Sequence, residues 1–318
     1  MSMIFEILSF IVSCFLLSWL SSYLVRGLTK IAKYYGIREF LIAFFVLGFA
    51  SNLPNLFVDV SAALRGLPQI SLGDMIGGNL ADLTIVAAIA IFFSKKGISA
   101  DSRMVQGSAV FTSIVALFPL LLLFKGSVTR ADGLILIGLF FVYVWWMFSR
   151  TDRFKKEYDK KEKINRKEIT WIVFQTIAIL VVLYFASQQI INSANYFAGS
   201  MGASLSLVAI LIVGLGNCFP ETYFSIISAK KDQNWMILGD LMASVIVAAT
   251  LVFGIVALIH PFVITDISQI LVARIFLVIA SIFFLVAIKN DKKLSKKEGL
   301  LLLITYVLFL LIEIFVKH

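Results

Sequence analysis

The sequence is poor in the residues that most often build enzyme active sites, transition-metal centres and disulfides. It has two histidines, and neither His260 nor His318 lies near another candidate ligand in the chain. That excludes the HExxH motif of metalloproteases and any transition-metal cluster. Cys14 and Cys218 both fall inside long apolar runs, where no oxidising machinery reaches them, so no structural disulfide is expected. Without a glycine-rich phosphate loop or a pair of nucleophile and base, we predict no enzyme activity and no cofactor.

Charged residues are also scarce, at 15% of the chain, while 60% of the residues are hydrophobic. With a mean hydropathy of +0.96, such a chain is not a water-soluble globule. A helix crosses the hydrocarbon core with about 20 mostly apolar residues. The sequence therefore predicts an all-α membrane protein with ten transmembrane helices, at 3–25, 39–64, 69–93, 104–125, 131–149, 169–195, 203–229, 234–259, 268–288 and 297–316.

The basic residues are distributed unevenly between alternate loops. Loops after helices 1, 3, 5, 7 and 9 contain 23 of the 28 lysines and arginines. Since basic loops stay in the cytoplasm, we expect both termini outside and the linker 150–168 inside. The net charge of +9 then reflects contact with a lipid bilayer, with no nucleic-acid partner. The compact chain and the lack of a recognisable targeting segment favour a prokaryotic plasma membrane.

Two segments, Val46 to Leu83 and Ile212 to Ala249, align without a gap at an offset of 166 residues. Six of the 38 aligned pairs are identical, and five of these are Gly, Pro, Asp or the Leu of a shared Leu-Gly-Asp tripeptide. An odd number of predicted helices separates the two segments, so they enter the membrane from opposite sides. This predicts two inverted five-helix repeats, 1–149 and 169–318, with a site between them near the bilayer midplane.

Each segment breaks its apolar run at a proline, Pro54 or Pro220. Proline removes a backbone donor and clashes with the preceding turn, so each helix should unwind and free carbonyl groups at membrane depth. Such carbonyls are tolerated where they line a cavity or meet an ion, and oxygen ligands suit hard cations such as Na⁺ and Ca²⁺. A simple proline kink capped by Ser and Asn is the alternative interpretation.

Acidic residues inside the predicted helices are the main candidate ligands, because a central carboxylate costs about 2.5–3.5 kcal/mol on insertion scales. Glu221 follows Pro220 at mid-helix, and Asp82 lies mid-span in helix 3. A protonated or hydrogen-bonded core acid is the alternative for each.

Three further acids are candidates for the ion pathway. Asp59 lies one turn beyond Asn55 on the same helical face and is equally a structural partner. Asp74 and Asp240 occupy equivalent positions in the two segments; either they concentrate cations at the mouths of the pathway, or they cap helices and solvate the interface, Asp74 in a capping box with Ser71.

At these residues the chain resembles the cation/calcium exchanger superfamily. The family repeats carry a Gly-Thr/Asn-Ser-x-Pro-Glu element and a Gly-Asn-x-x-Gly-Ser-Asn element. The segments 50–55 and 216–221 look like the first element, and 73–79 and 239–245 look like the second. The motif resemblance covers about 80 residues, and it implies ten helices in two inverted halves.

The resemblance also implies a ligand set. Glu221 matches the family's second glutamate and Asp82 matches its helix 3 ligand, whereas Asn55 replaces the first glutamate and Ala248 replaces the helix 8 ligand. Asp59 compensates for Asn55 only if the ion site lies about one turn, roughly 5 Å, further out. The positions carried over as neutral ligands are Ser51, Asn52, Asn55, Asn217 and Ser244.

The function implied by the resemblance is secondary active antiport of small cations, with Ca²⁺ exchanged for Na⁺. Opposite ions would compete for one midplane site in alternating access, as helices 1 and 6 slide across the core. Two alternatives stay open: a proton-coupled exchanger for Ca²⁺, Mn²⁺ or Mg²⁺ on the same fold, and a non-transporting membrane scaffold or sensor.

Overall fold

The computed structural model describes residues 3–34, 48–101, 103–149, 166–264, 267–290 and 292–315. These residues are helical apart from two short β-ladders and their loops. The α-helices are α1 Met3–Tyr34, α2 Gly48–Ser51, α3 Leu53–Leu64, α4 Pro68–Ala81, α5 Ala87–Phe93, α6 Arg103–Leu122, α7 Arg130–Ser149, α8 Arg166–Met201, α9 Leu205–Val208, α10 Gly214–Asn217, α11 Phe219–Lys230, α12 Asn234–Ile246, α13 Phe253–Ile259, α14 Leu271–Asn290 and α15 Lys296–Phe315.

Nine helical stretches within the described ranges are long and apolar enough to cross a membrane. They correspond to nine of the ten predicted runs, which confirms the all-helical membrane fold. For the remaining run, 39–64, residues 39–47 lie outside the described ranges, and the rest forms α2 and α3. Most of the predicted linker, 150–165, lies outside them too, while 166–168 belong to α8.

The two proline clusters interrupt their helices at equivalent residues. Asn52 separates α2 from α3, and Cys218, 166 positions later, separates α10 from α11. The backbone angles nearly coincide, with φ −85° and ψ −5° at Asn52 and φ −82° and ψ 1° at Cys218. Each proline lies in the first turn of the following helix, where its missing N–H costs no hydrogen bond within that helix. The break is therefore a single turn residue, shorter than the expected unwinding.

The helices next to the breaks contain π-helical segments at matching positions. Asp82–Val86 joins α4 to α5, and Val247–Val252 joins α12 to α13. In both, a threonine hydroxyl donates to the carbonyl four residues earlier, Thr84 to Leu80 and Thr250 to Ile246. Because π-helical turns often lie at functional sites, this local geometry marks the same two regions as the prolines. A third π-helical segment, Ala209–Val213, precedes α10.

Two short antiparallel ladders connect opposite halves of the chain. Strand β1, Ile98–Ser99, pairs with β4, Lys293–Leu294. Strand β2, Ser127–Val128, pairs with β3, Phe262–Val263. Each ladder therefore joins a loop from the first half to a loop from the second, and holds the ends of the spanning helices together.

Close approach of two backbones fixes how α4 packs against the helix that leads into α10. A Cβ atom built on Gly77 would lie 2.2 Å from the carbonyl oxygen of Ile210, and one built on Gly214 would lie 2.6 Å from the backbone nitrogen of Gly78. Glycine is required at both positions because the neighbouring atoms belong to backbone, which cannot move aside locally. This contact sets the distance between the two helices that carry the candidate site.

Gly77→Ala should lower the melting temperature of the purified protein in detergent, because overpacking of this kind typically costs about 1–3 kcal/mol. Gly138→Ala is the matched control, since a Cβ there meets nothing within 4 Å. That variant should melt at or slightly above the wild-type temperature. Equal melting temperatures for the two variants would contradict the required close approach.

Candidate ion-binding site

The two helix breaks face helices from the opposite half of the chain, and their polar side chains form matching contacts there. Ser51 Oγ, before the first break, donates to Asp240 Oδ1 at 3.2 Å. Asn217 Nδ2, before the second break, donates to Asp74 Oδ2 at 2.9 Å. Both members of one contact lie 166 positions from their counterparts in the other. All four side chains are buried.

A second pair of contacts follows the same relation. Ser244 Oγ on α12 donates to Asn52 Oδ1 at 3.2 Å, and Cys218 Sγ lies 3.5 Å from the carbonyl oxygen of Gly78 on α4. The two break residues, Asn52 and Cys218, thus each contact the helix that carries the equivalent Ser or Gly. Each broken helix is bound to the opposite half at two successive positions.

Glu221 and Asp82, the two acids predicted as charged ligands, lie together at this crossing. Glu221 is 0% exposed and Asp82 is 2% exposed, so neither faces lipid. The Asp82 carboxyl group is within hydrogen-bond reach of the Ser244 hydroxyl and the Cys218 thiol. Asp82, Asp240 and Asp74 all lie close enough to Glu221 to interact with it electrostatically. The structure thus gathers four carboxyl groups that the sequence spreads over about 170 positions.

Several oxygens in this region accept no hydrogen bond from the residues that the structure describes. They include both oxygens of Glu221 and one oxygen each of Asp82, Asp74, Asp240, Asn55 and Asn217. A buried polar atom without a partner costs free energy, and a buried carboxylate costs more unless it is neutralised. The charged partners of a hard cation are therefore in place.

The ion pairs between described side chains lie elsewhere in the molecule. Lys30 pairs with Glu168, and Lys125 pairs with Asp132. Within the described ranges, no group of three His, Cys, Asp or Glu side chains is arranged to hold a metal ion. A cation bound here would thus rely on one or two carboxylates together with amide, hydroxyl and backbone oxygens, which suits Na⁺ and Ca²⁺ better than transition metals.

The capping and interfacial interpretation of Asp74 and Asp240 is wrong. Asp74 lies in the interior of α4 and Asp240 in the interior of α12, and both are buried. Ser71, the supposed capping partner of Asp74, donates instead to the backbone carbonyl of Asp59 at 3.0 Å. The α-helix begins three residues before Ser71, at Pro68, so the Ser71 hydroxyl is not at the N-cap.

Asp59 is buried in α3, and its side chain lies within hydrogen-bond reach of Asp74. Asn55, one turn earlier, is buried as well. Ala248, which stands at the other position where the resembling family has a ligand, lies in the π-helical segment and offers no side-chain oxygen. The acids are thus unevenly divided between two otherwise matching halves.

Three buried polar residues of this region were missed by the sequence analysis as site candidates. Cys218 occupies the second break and faces Asp82. Asn79 follows Gly78 on α4, and its Nδ2 atom donates to no described acceptor. Ser225 lies 166 positions after Asp59, and its hydroxyl also has no partner among the described residues. The repeat offset would have identified Ser225, because its counterpart was already a candidate.

Comparison with known proteins places this arrangement among ion exchangers. The family model described as sodium/calcium exchanger protein matches the chain at 5–149 and again at 171–315. The putative antiporter CaxA of Alkalimonas amylolytica is 24% identical over 307 residues, which cover 93% of this chain and 95% of the relative. The sodium/calcium exchanger MaX1 of Methanosarcina acetivorans is 21% identical, with coverage of 93% and 95%.

The fold is similar to that of solved exchanger structures. One structure of the sodium-calcium exchanger NCX_Mj, soaked with Na⁺ and Sr²⁺, superposes with a TM-score of 0.69 at 20% identity and covers 100% of both chains. Another, soaked with Na⁺ and Ca²⁺, has a TM-score of 0.68 at 20% identity, with 99% of each chain covered. At this identity the likeness establishes the fold alone.

Asn217→Ala should lower the free energy of unfolding by about 1–3 kcal/mol, because it leaves the buried Asp74 carboxyl group without its amide donor. The exposed Asn192, which accepts from Arg65 at 2.7 Å, supplies the control. Asn192→Ala should change stability by less than about 0.5 kcal/mol. Denaturant or thermal unfolding of the purified protein measures both, and an Asn217→Ala protein as stable as wild type would contradict the contact.

Proposed function

This chain belongs to the sodium/calcium exchanger protein family, and from that premise we propose that it exchanges Ca²⁺ for Na⁺ by secondary active antiport. The apolar spanning helices and relatives in bacteria and archaea identify it as an integral membrane protein. Its matched relatives include proteins named as an antiporter and an exchanger. Cation antiport is accordingly the activity, and the choice of Ca²⁺ and Na⁺ is the finer step of the proposal.

The observation that carries the proposal is the pair of matching contacts around two buried acids. Ser51 with Asp240, and Asn217 with Asp74, bind each broken helix to the opposite half. Glu221 and Asp82 lie between these contacts, buried and with oxygens that lack described donors. A cation at this crossing would contact both halves at once, so its arrival or release would change how the halves pack against each other.

The proposed ligands fall into charged and neutral groups. Glu221 and Asp82 supply two negative charges, which neutralise one Ca²⁺ or two Na⁺. Oxygen atoms without net charge complete the coordination, since Ca²⁺ takes six to eight oxygens at about 2.3–2.6 Å. The neutral ligands in the proposal are Ser51, Asn52, Asn55, Asn217 and Ser244. The buried acids Asp59, Asp74 and Asp240 extend the negative region on either side.

Competition of the two ions for one site would couple their movements. In the proposed cycle, two inverted repeats, 1–149 and 169–318, expose the site alternately to the two sides of the membrane. The long helices α1 and α8 would move together, because they pack along each other and Ser193 on α8 donates to Glu6 on α1 at 2.9 Å. Both termini would lie outside and 150–168 in the cytoplasm of a prokaryotic cell.

Glu221→Gln should reduce Na⁺-driven Ca²⁺ uptake into proteoliposomes by at least about tenfold, because it removes a charged ligand at a buried site. The measurement loads vesicles with Na⁺ and follows ⁴⁵Ca²⁺ entry on dilution into choline medium. Glu168→Gln is the matched control, since Glu168 forms an exposed pair with Lys30. That variant should transport at the wild-type rate.

The same vesicles distinguish the other functions. Uptake that follows a pH gradient and ignores the Na⁺ gradient would replace Na⁺ by H⁺ as the counter-ion. A protein that transports none of Ca²⁺, Mn²⁺ and Mg²⁺ under either gradient, and is not stabilised by them, would be a scaffold or sensor. Normal Ca²⁺ exchange by Glu221→Gln would remove the basis for the proposed site.

A further inference from the structure

The first half of the chain lacks an acid directly after its proline but has two acids one turn further along the site. Asn55 occupies the position equivalent to Glu221, while Asp59 occupies the position equivalent to Ser225. In the second half the order is therefore Glu then Ser, and in the first half it is Asn then Asp. Residues four apart lie on one helix face, about 5–6 Å from each other, so the charge is displaced by one turn.

Asp59 meets a second acid at its displaced position. Its side chain, on α3, lies within hydrogen-bond reach of Asp74 on α4. Two buried carboxylates at this separation repel unless a positive charge lies between or beside them. No lysine or arginine pairs with either one among the described residues, whose ion pairs lie elsewhere.

Neutral oxygens converge on the same place from the other half. Asn217 donates through Nδ2 to Asp74, and its own Oδ1 is buried without a described donor. The spot where a Cβ on Gly78 would lie is 3.6 Å from Asp74 Oδ1 and 3.8 Å from the carbonyl oxygen of Gly214. Asp59 Oδ1 and Asn55 Oδ1 are also buried and accept no hydrogen bond from described residues.

We propose that Asp59 and Asp74, with Asn217, form a second cation-binding site for Na⁺ or Ca²⁺, which supplies the charge that Asn55 does not. The inference rests on the proposed function, because it adds a site beside the one at Glu221 and Asp82. Two carboxylates, an amide oxygen and a backbone carbonyl make an oxygen-rich set for one hard cation. Asp74 reaches this set directly, and its contact with Asn217 connects it to the break before α11.

Asp59→Ser tests the site, because it installs in the first half the residue that the second half has at the equivalent position. Titration of the purified full-length protein with CaCl₂ and, separately, NaCl in a choline chloride background gives the affinity and the number of ions bound. Asp59→Ser should weaken binding of one ion by at least about tenfold, since half the carboxylate charge of the site is removed. Asp74→Asn should have a similar effect.

The double variant Asn55→Glu/Asp59→Ser provides the sharper test, because it moves the charge back by one turn and reproduces the Glu–Ser order of the second half. It should recover affinity to within about threefold of wild type if the first half needs one acid on this face. Asp232→Asn, in an exposed turn with φ of 55°, is the matched control and should bind as wild type does. Melting temperatures without added cation verify that each variant is folded.

The outcomes separate this inference from the proposed function. Unchanged affinity and ion number in folded Asp59→Ser and Asp74→Asn, together with lost binding in Glu221→Gln, would overturn the second site and leave the exchanger proposal standing. Absence of Ca²⁺ and Na⁺ binding by the wild-type protein would defeat both. A double variant that stays as weak as Asp59→Ser would show that the acid is not interchangeable between the two turns, which also counts against the inference.

Discussion

The structure depends on how negative charge is kept inside an apolar protein. Glu221, Asp82, Asp74, Asp240 and Asp59 are all buried, and each would be costly as an isolated carboxylate at membrane depth. The protein supplies them with amide, hydroxyl and thiol donors from the opposite half, such as Asn217 for Asp74 and Ser51 for Asp240. Those donors are too few for the oxygens present. A cation is the partner that would neutralise the charge, which makes ion occupancy a part of the folded state.

Backbone symmetry and side-chain asymmetry have separate roles in this arrangement. The breaks at Asn52 and Cys218, the π-helical turns after α4 and α12, and the crossed hydrogen bonds all repeat between halves. The acids do not, since Asn55 and Ala248 stand where their counterparts are Glu221 and Asp82. A symmetric frame brings two broken helices to one place, and the asymmetric acids decide how charge is divided there. Exchangers that share the frame can thus differ in their ions through a few side chains.

Much of this could be predicted from local properties of the sequence. Nine of the ten predicted spans correspond to apolar helices in the described residues, because a bilayer requires about 20 apolar residues for each crossing. The prolines located both helix breaks, and the rule that intramembrane acids are functional identified Glu221 and Asp82. The position of Asp74 was misjudged, because sequence spacing placed it near a helix end, where Ser71 matches a capping pattern. In the folded protein Ser71 bonds to Asp59 instead, a contact between two helices that no local pattern encodes.

The sequence by itself determined the membrane environment, the helical class, the repeat and the two central acids, since each follows from composition or from spacing along one segment. Only the tertiary structure decided which polar groups meet: Asn217 with Asp74 across 143 positions, Ser51 with Asp240 across 189 and Ser244 with Asn52 across 192. These contacts arise from the packing of α4 and α12 against helices of the other half, and glycines at close approach set that packing. A polar residue's partner inside a membrane protein is chosen by three-dimensional proximity, which spacing along the chain does not specify.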